Sequence, residues 1–203
     1  MIVISCFDYT TNMVRPWAEA GYTCYCVDIK HPPGESRKDN IIKVGGDMLD
    51  WVPPRKDIAF ASFFPPCTDV SASGARWFKD KGLGYLWRAL RLFDVAVKLA
   101  EWTGAPYMIE NPVGTVSTYW RESDYTFDPC DYGDPYTKKT CLWTGGGFVM
   151  PKKNRIEPVW GSWMNKFPDS KGRSDRRSAT PLKFAYAVFE ANRKENRLRL
   201  WNR

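Results

Sequence analysis

A chain of 203 residues with 43% apolar side chains is long enough for one substantial core, so a single domain is the expectation. No run of 18 uncharged apolar residues occurs, and the start, MIVISCFDYTT, has neither a basic n-region nor a small-residue cleavage site. This excludes a membrane span or export signal as an expectation and places the chain in the cytoplasm. The net charge of +7 is uneven: residues 1–149 carry 16 Lys+Arg against 18 Asp+Glu (−2), and residues 150–203 carry 14 against 5 (+9), a localised basic segment of the kind a polyanion partner requires.

Ile2 to Phe7 reads as a first buried strand, and Asn12 to Ala20 as a helix stopped by Gly21. Thr23 to Ile29 forms a second strand ending in Asp28, followed by a Pro/Gly loop, HPPGES, that holds the only histidine, His31. IIKVGGDMLDW then gives a short third strand and Asp47. Strand, helix, strand ending in an acid, strand ending in an acid is the opening of a doubly wound, Rossmann-like α/β sheet in three layers. The acid after the second strand suits ribose hydroxyls, and the one after the third suits an adenine amine. The six cysteines are dispersed, and Cys24-x-Cys26 fits neither a zinc ribbon nor a redox pair, so reduced core thiols are expected.

Asp57 to Phe64 is a short apolar strand that stops at Pro65-Pro66, which fix the backbone and cannot extend a sheet ladder. Cys67 therefore stands at the mouth of the sheet, either as a nucleophile or as the small buried hydrophobe that most free cysteines are. The small polar run Thr68 to Gly74, which includes Ser71, allows a loop to open and close. Leu83 to Trp102 is the longest helical pattern, stopped by Gly104 and Pro106; Leu83, Leu86, Trp87, Leu90, Phe93 and Val97 are read as its core face. It crosses to another short apolar run, Tyr107 to Gly114, where Glu110 is followed by Asn111-Pro112.

From Tyr125 to Val149 the pattern is β, with a tight turn at Tyr132 to Tyr136 and the basic pair Lys138-Lys139 leading into a strand. Pro151 to Thr180 is rich in Lys, Arg, Pro, Gly and Ser with Trp160, Trp163 and Phe167 interspersed. Such a segment can track phosphates and stack on bases, or simply pin an irregular cap to the core. Pro181 to Arg199 closes the chain as a helix with Thr180 as N-cap and Phe184, Ala187, Val188 and Ala191 inward. The expected organisation is a core over 1–150, a basic irregular segment over 151–180 and a closing helix over 181–203.

Pro65-Pro66-Cys67 followed by Glu110-Asn111-Pro112, with a long helix between, resembles the cytosine C5-methyltransferase family. The resemblance implies that Cys67 attacks C6 of the base and that Glu110 engages N3 and the exocyclic amine. The chemistry has its own logic, because C5 of cytosine becomes nucleophilic only after a thiolate adds at C6 and N3 takes up the resulting charge. Residues 7–29 are similar to the family's S-adenosyl-L-methionine segment, with Phe7 on its phenylalanine and Tyr9 and Thr11 on its two glycines. The implied cofactor residues are Phe7, Asp28, Ile29, Asp47, Met48 and Pro65; the implied substrate residues are Pro66, Ser71, Asn111, Pro112 and Thr140. Lys138 falls on a family arginine that supports the base carbonyl, although an ammonium lacks the planar fork. The final helix, RSATPLKFAYAVFEAN, resembles the one that completes the family's cofactor pocket.

Only about 35 residues separate Trp143 from Thr180, where family members carry a target-recognition domain. Three readings stay open: methylation of cytosine in DNA with the basic segment gripping phosphates, methylation of a free cytosine nucleotide such as dCMP, or a retired catalyst that only binds nucleic acid. A compact basic enzyme of this kind would suit a virus or mobile element.

Overall fold

The protein was analysed as a computed structural model, which describes residues 1–54, 57–162 and 173–193. Strands β1 (Ile2–Cys6), β2 (Thr23–Lys38), β3 (Ile41–Gly45), β4 (Ile58–Phe63), β5 (Tyr107–Pro112), β6 (Tyr125–Phe127) and β7 (Thr140–Gly145) form one sheet in the order β3-β2-β1-β4-β5-β7-β6. β1 is parallel to β2 and β4, β4 to β5, and β7 runs antiparallel between β5 and β6. The result is a mostly parallel α/β sheet compatible with a Rossmann-like fold. Among the described residues no helix is long and apolar enough to cross a membrane.

Side-chain alternation builds a core on each face. Ile4, Cys6, Ala61, Phe63, Ile109 and Trp143 face the long helix α3 (Leu83–Thr103; α2, Phe78–Lys81, precedes it) and its Phe93, Ala96 and Ala100. Val3, Phe60, Met108 and Leu142 face the other way, against Trp17 of α1 (Arg15–Glu19) and Phe184, Val188 and Phe189 of the closing helix, there Leu182–Asn192. Two short helices, α4 (Val116–Tyr119) and α5 (Arg173–Ser178), come between α3 and the closing helix along the chain, so the closing helix is α6 (Leu182–Asn192).

Four elements differ from expectation. β2 does not end at Ile29. Cys24–Asp28 pairs with Ile41–Gly45 in parallel, and the chain then doubles back so that Glu35–Lys38 meets Val44–Ile41 in descending register. This second leg covers the outer edge of β3 through a two-residue turn in which Asp39 takes φ 52°. Gly45 is required at the bend, because a Cβ there would lie 1.9 Å from the Pro32 carbonyl oxygen. The predicted core face of α3 is rotated at its start: Leu83 is 83% and Trp87 62% exposed, and the buried arc runs through Leu86, Ala89, Leu90, Phe93 and Ala96. Residues 173–178 are helical rather than irregular. Thr180 is not a side-chain cap for α6; it is buried, and its carbonyl accepts a bond from Asn12 Nδ2 at 3.0 Å. Trp163, Phe167 and residues 194–199 lie outside the described residues.

Candidate active site

The strand order reverses at β1, which has β2 on one side and β4 on the other, so the crevice beyond the carboxyl ends of β1 and β4 is the natural ligand site of such a sheet. The PPC segment leaves β4 there. Pro65 is buried, Pro66 exposed and Cys67 half-buried. The Cys67 carbonyl accepts bonds from the amides of Val70 (3.1 Å) and Ser71 (2.8 Å), which fold the loop into a tight turn. That turn is stitched to the chain leaving β5: Ala72 N donates to Val113 O at 3.0 Å, Thr115 N to Val70 O at 2.8 Å, and Ser71 bridges Gly114. A Cβ on Gly114 would lie 2.0 Å from the Val70 carbonyl oxygen, so glycine is the residue this approach permits. Asn111, fully buried, donates from Nδ2 to the Pro65 carbonyl at 2.9 Å and so joins the PPC and ENP exits directly. Its role is to hold the two exits together, and its Oδ1 is left buried without a donor among the described residues.

Glu110-Asn111-Pro112 lies within β5 and not beyond it, paired with Leu142, Cys141 and Thr140 of β7. β4 has already turned away, its pairing with β5 ending at Phe63–Ile109, and this leaves a free edge on which a proline is tolerated. The Glu110 side chain is 16% exposed, and Lys138 Nζ, on a side chain 15% exposed, stands 3.9 Å from its Oε1. That is a Coulombic contact and too long for a hydrogen bond. Lys138 is placed by its amide, which donates to Asp128 Oδ1 at 2.8 Å, and by its carbonyl, which accepts from Thr140 Oγ1 at 2.8 Å. Glu110, Lys138 and Thr140 line one narrow cleft with Phe64, Ser178 and Thr180. Cys67 is not on its wall but leans on the α3-side core.

The two groups are nonetheless coupled. Burial, then the Glu110 charge, raise the Cys67 thiol above its ordinary value, while Lys138 and Arg177 pull it down. Burial also raises the Glu110 carboxyl, with Lys138 opposing. Around neutral pH the thiol therefore holds its proton, and it gives that proton up more readily when Glu110 is neutral and its charge no longer opposes a thiolate. Lys138 lowers the thiol, so Lys138→Gln is expected to raise the thiol pKa and slow alkylation of Cys67 by iodoacetamide at pH 8 severalfold. Mass spectrometry of the Cys67 peptide reads this directly, and an unchanged rate would separate Lys138 from the thiol.

At the end of β1, Phe7 and Thr11 both adopt left-handed backbone, φ 58° and 60°, a strain of about 1–3 kcal/mol each that the surroundings must hold. The holder is Asp8, a buried carboxylate that sequence reasoning missed. It accepts from Ser5 Oγ at 2.7 Å, Thr11 N at 2.8 Å and Thr10 Oγ1 at 3.2 Å, and Ser62 Oγ of β4 donates to Ser5 Oγ at 2.9 Å. Burial raises the Asp8 carboxyl, against those hydrogen bonds. An acid at a strand end with Thr10-Thr11 two and three residues on was the available signal, since such a carboxylate turns the chain by binding its own backbone. His31, buried, puts Nε2 3.3 Å from the Asp8 carbonyl oxygen, and burial lowers its pKa.

The remaining cofactor candidates ring the same edge. Asp28 Oδ1 accepts from Lys30 N at 2.8 Å, Ile29 is 67% exposed, Asp47 Oδ1 accepts from Leu49 N at 3.0 Å, and Met48 is buried in the α3-side core. Asp28 and Asp47 each use Oδ1 for a backbone amide, and no partner of either Oδ2 is found among the described residues, so the donor set is compatible with the hydroxyls and amine of an adenosine; Thr11 has the left-handed backbone that glycine favours. The Tyr9 ring is turned onto His31 (5.5 Å) and Lys30 (5.6 Å). α5 reaches the same edge through an ion pair between Asp175 and Lys30, and Arg177 Nε is buried without an acceptor among the described residues.

The basic segment begins differently from expectation. Lys153 (2.8 Å) and Arg155 are ion-paired to the buried Asp131, and Asn154 N and Ile156 N bond the carbonyls of Asp131 and Cys130. Its first charges therefore anchor it to the core. The geometry defines an α/β protein with a thiol just beyond the exit of β4 and a carboxyl group near the carboxyl end of the adjacent β5. A scan against protein-family models finds no match, and a search of curated proteins finds none.

Proposed function

We propose that the protein is a methyltransferase that transfers a methyl group from S-adenosyl-L-methionine to C5 of cytosine in DNA. The observation that carries this reading is the pairing of Cys67 and Glu110. Cys67 follows the exit of β4, Glu110 lies in the neighbouring β5 just past the end of its pairing with β4, and Asn111 Nδ2 bonds the Pro65 carbonyl between them; the Glu110 charge raises the Cys67 thiol, and Lys138 lowers both groups. Cys67 Sγ adds as thiolate to C6, and the electron pair pushed into the ring is met at N3 by the Glu110 proton. C5, now an enamine carbon, takes the methyl group. Loss of the C5 proton to water and expulsion of Sγ from C6 as thiolate restore the aromatic ring, and N3 returns its proton to Glu110. S-adenosyl-L-methionine supplies the electrophilic methyl when bound; Asp28 and Asp47 would hold its ribose and adenine, and Ile29 would cover the adenine face. The Lys138 charge lowers both the thiol and the carboxyl, and so opposes the burial that would keep each neutral.

Incubation with tritiated S-adenosyl-L-methionine and, separately, duplex DNA, single-stranded DNA, RNA and dCMP tests the proposal. Label on DNA is expected. Label on dCMP alone moves the substrate to the free nucleotide, and retention of DNA with no label on any substrate leaves only a binding protein.

A further inference from the structure

The start of α3 leaves an aromatic and basic face uncovered. Leu83, Trp87 and Arg91 follow one another at i, i+4, i+8 on the solvent side, and Tyr85 (57% exposed), Arg88 and Trp77 (50% exposed) flank them. Two cation–π contacts organise the face, with Arg91 5.4 Å from the Trp87 ring and Lys81 Nζ 5.9 Å from the Tyr85 ring. Over residues 79–91 the charges are Lys79, Lys81, Arg88 and Arg91 against Asp80, and Lys81 is ion-paired to Asp69 from the preceding loop. Tyr85 and Trp87, exposed beside Arg88 and Arg91, are not needed by the core, which α3 serves through its opposite arc.

The face is also in the right place. α3 is the crossover from β4 to the parallel β5, so its first turns stand at the carboxyl edge of the sheet, and Lys81 of α2 is ion-paired to Asp69, two residues after Cys67. We infer that this face docks the nucleic-acid strand beside the target cytosine, with bases stacking on Trp87 and Tyr85 and phosphates meeting Arg88 and Arg91. The excess of cations favours a polyanion over an apolar protein partner, and exposed π-faces among cations are what sequence-tolerant strand binding uses. The inference rests on the methyltransferase reading for its choice of DNA, and it supplies a surface for the polymer in a chain whose Lys153 and Arg155 are engaged by Asp131.

The test measures binding of a fluorescent cytosine-containing oligonucleotide by anisotropy across a salt series, with methyl transfer recorded in parallel. Trp87→Ala is expected to weaken binding by about 5- to 100-fold and Trp87→Tyr to restore most of it, because stacking survives that change. Arg88→Gln with Arg91→Gln is expected to reduce the salt slope by about one to two. All three positions are exposed, and circular dichroism checks the fold. If all variants bind as the wild type does, if the wild type does not bind, or if Trp87→Ala only dissolves a concentration-dependent dimer, the docking surface is wrong. Should DNA be methylated while the variants bind normally, the surface falls alone; should no substrate be methylated while Trp87→Ala weakens binding, the surface stands and the methyltransferase reading falls.

Discussion

Cys67→Ala is expected to reduce methyl transfer to cytosine by on the order of 10⁴-fold or more while leaving the fold intact. Without Sγ there is no addition at C6, and C5 is then a carbon of an intact aromatic ring with no reason to attack an electrophile. The side chain is half-buried and contributes only a small apolar contact to the α3-side core, so its loss changes unfolding free energy by about 1 kcal/mol or less. An oligonucleotide with 5-fluorocytosine gives the covalent step its own readout. Sγ adds and the methyl group is accepted, but fluorine cannot leave as a cation, so the Sγ–C6 bond persists and the complex survives a denaturing gel. The wild type is expected to form that complex with S-adenosyl-L-methionine present and the alanine variant to form none. Retained transfer within tenfold of wild type in Cys67→Ala would end the covalent mechanism.

Much of this site was legible from local sequence because each of its parts is punctuated. Pro65-Pro66 ends β4 where expected, Gly104 terminates α3 in the left-handed conformation (φ 60°), and the ENP glutamate follows on the next strand. What local sequence did not carry is what depends on partners distant in the chain. HPPGESRK reads as a loop on its own residues, yet β3 pairs with it from the far side of the Asp39–Asn40 turn and makes it an edge. The face of α3 was misjudged because Leu86 and Trp87 occupy neighbouring arcs of the helix, and periodicity cannot tell which arc the sheet will cover. In the first turns α3 overhangs the sheet edge, so an apolar side chain there has nothing to pack against. Arg177 has no local signal either; only the path of α5 over the carboxyl edge brings it near the thiol.

The same coupling that makes Glu110 useful gives its amide variant an unusual signature. Glu110→Gln is expected to slow methyl transfer by about 10²- to 10³-fold, because an amide can hydrogen-bond N3 but has no proton to give it. The Glu110 charge raises the Cys67 thiol, so removing it lowers the thiol pKa, and alkylation of Cys67 by iodoacetamide at pH 8 is expected to become faster, not slower. Stability should move in a third direction. Burial raises the folded-state carboxyl above its unfolded value, so the folded protein holds this proton more tightly than the unfolded chain; that advantage is complete below the unfolded pKa and is lost as pH rises through the folded one. Wild-type stability is therefore expected to decline from the ordinary carboxylate range upward until the raised pKa is passed, and Glu110→Gln should lack that decline and be the more stable protein at pH 8. Denaturant titrations of both proteins at pH 4, 6 and 8 read the stability term, and the alkylation rate reads the thiol. A variant that is slower in transfer, faster in alkylation and flatter in its stability profile fits only a buried carboxyl that shares the thiol's field. Slower alkylation would mean that Glu110 activates Cys67 as a base and does not protonate the ring.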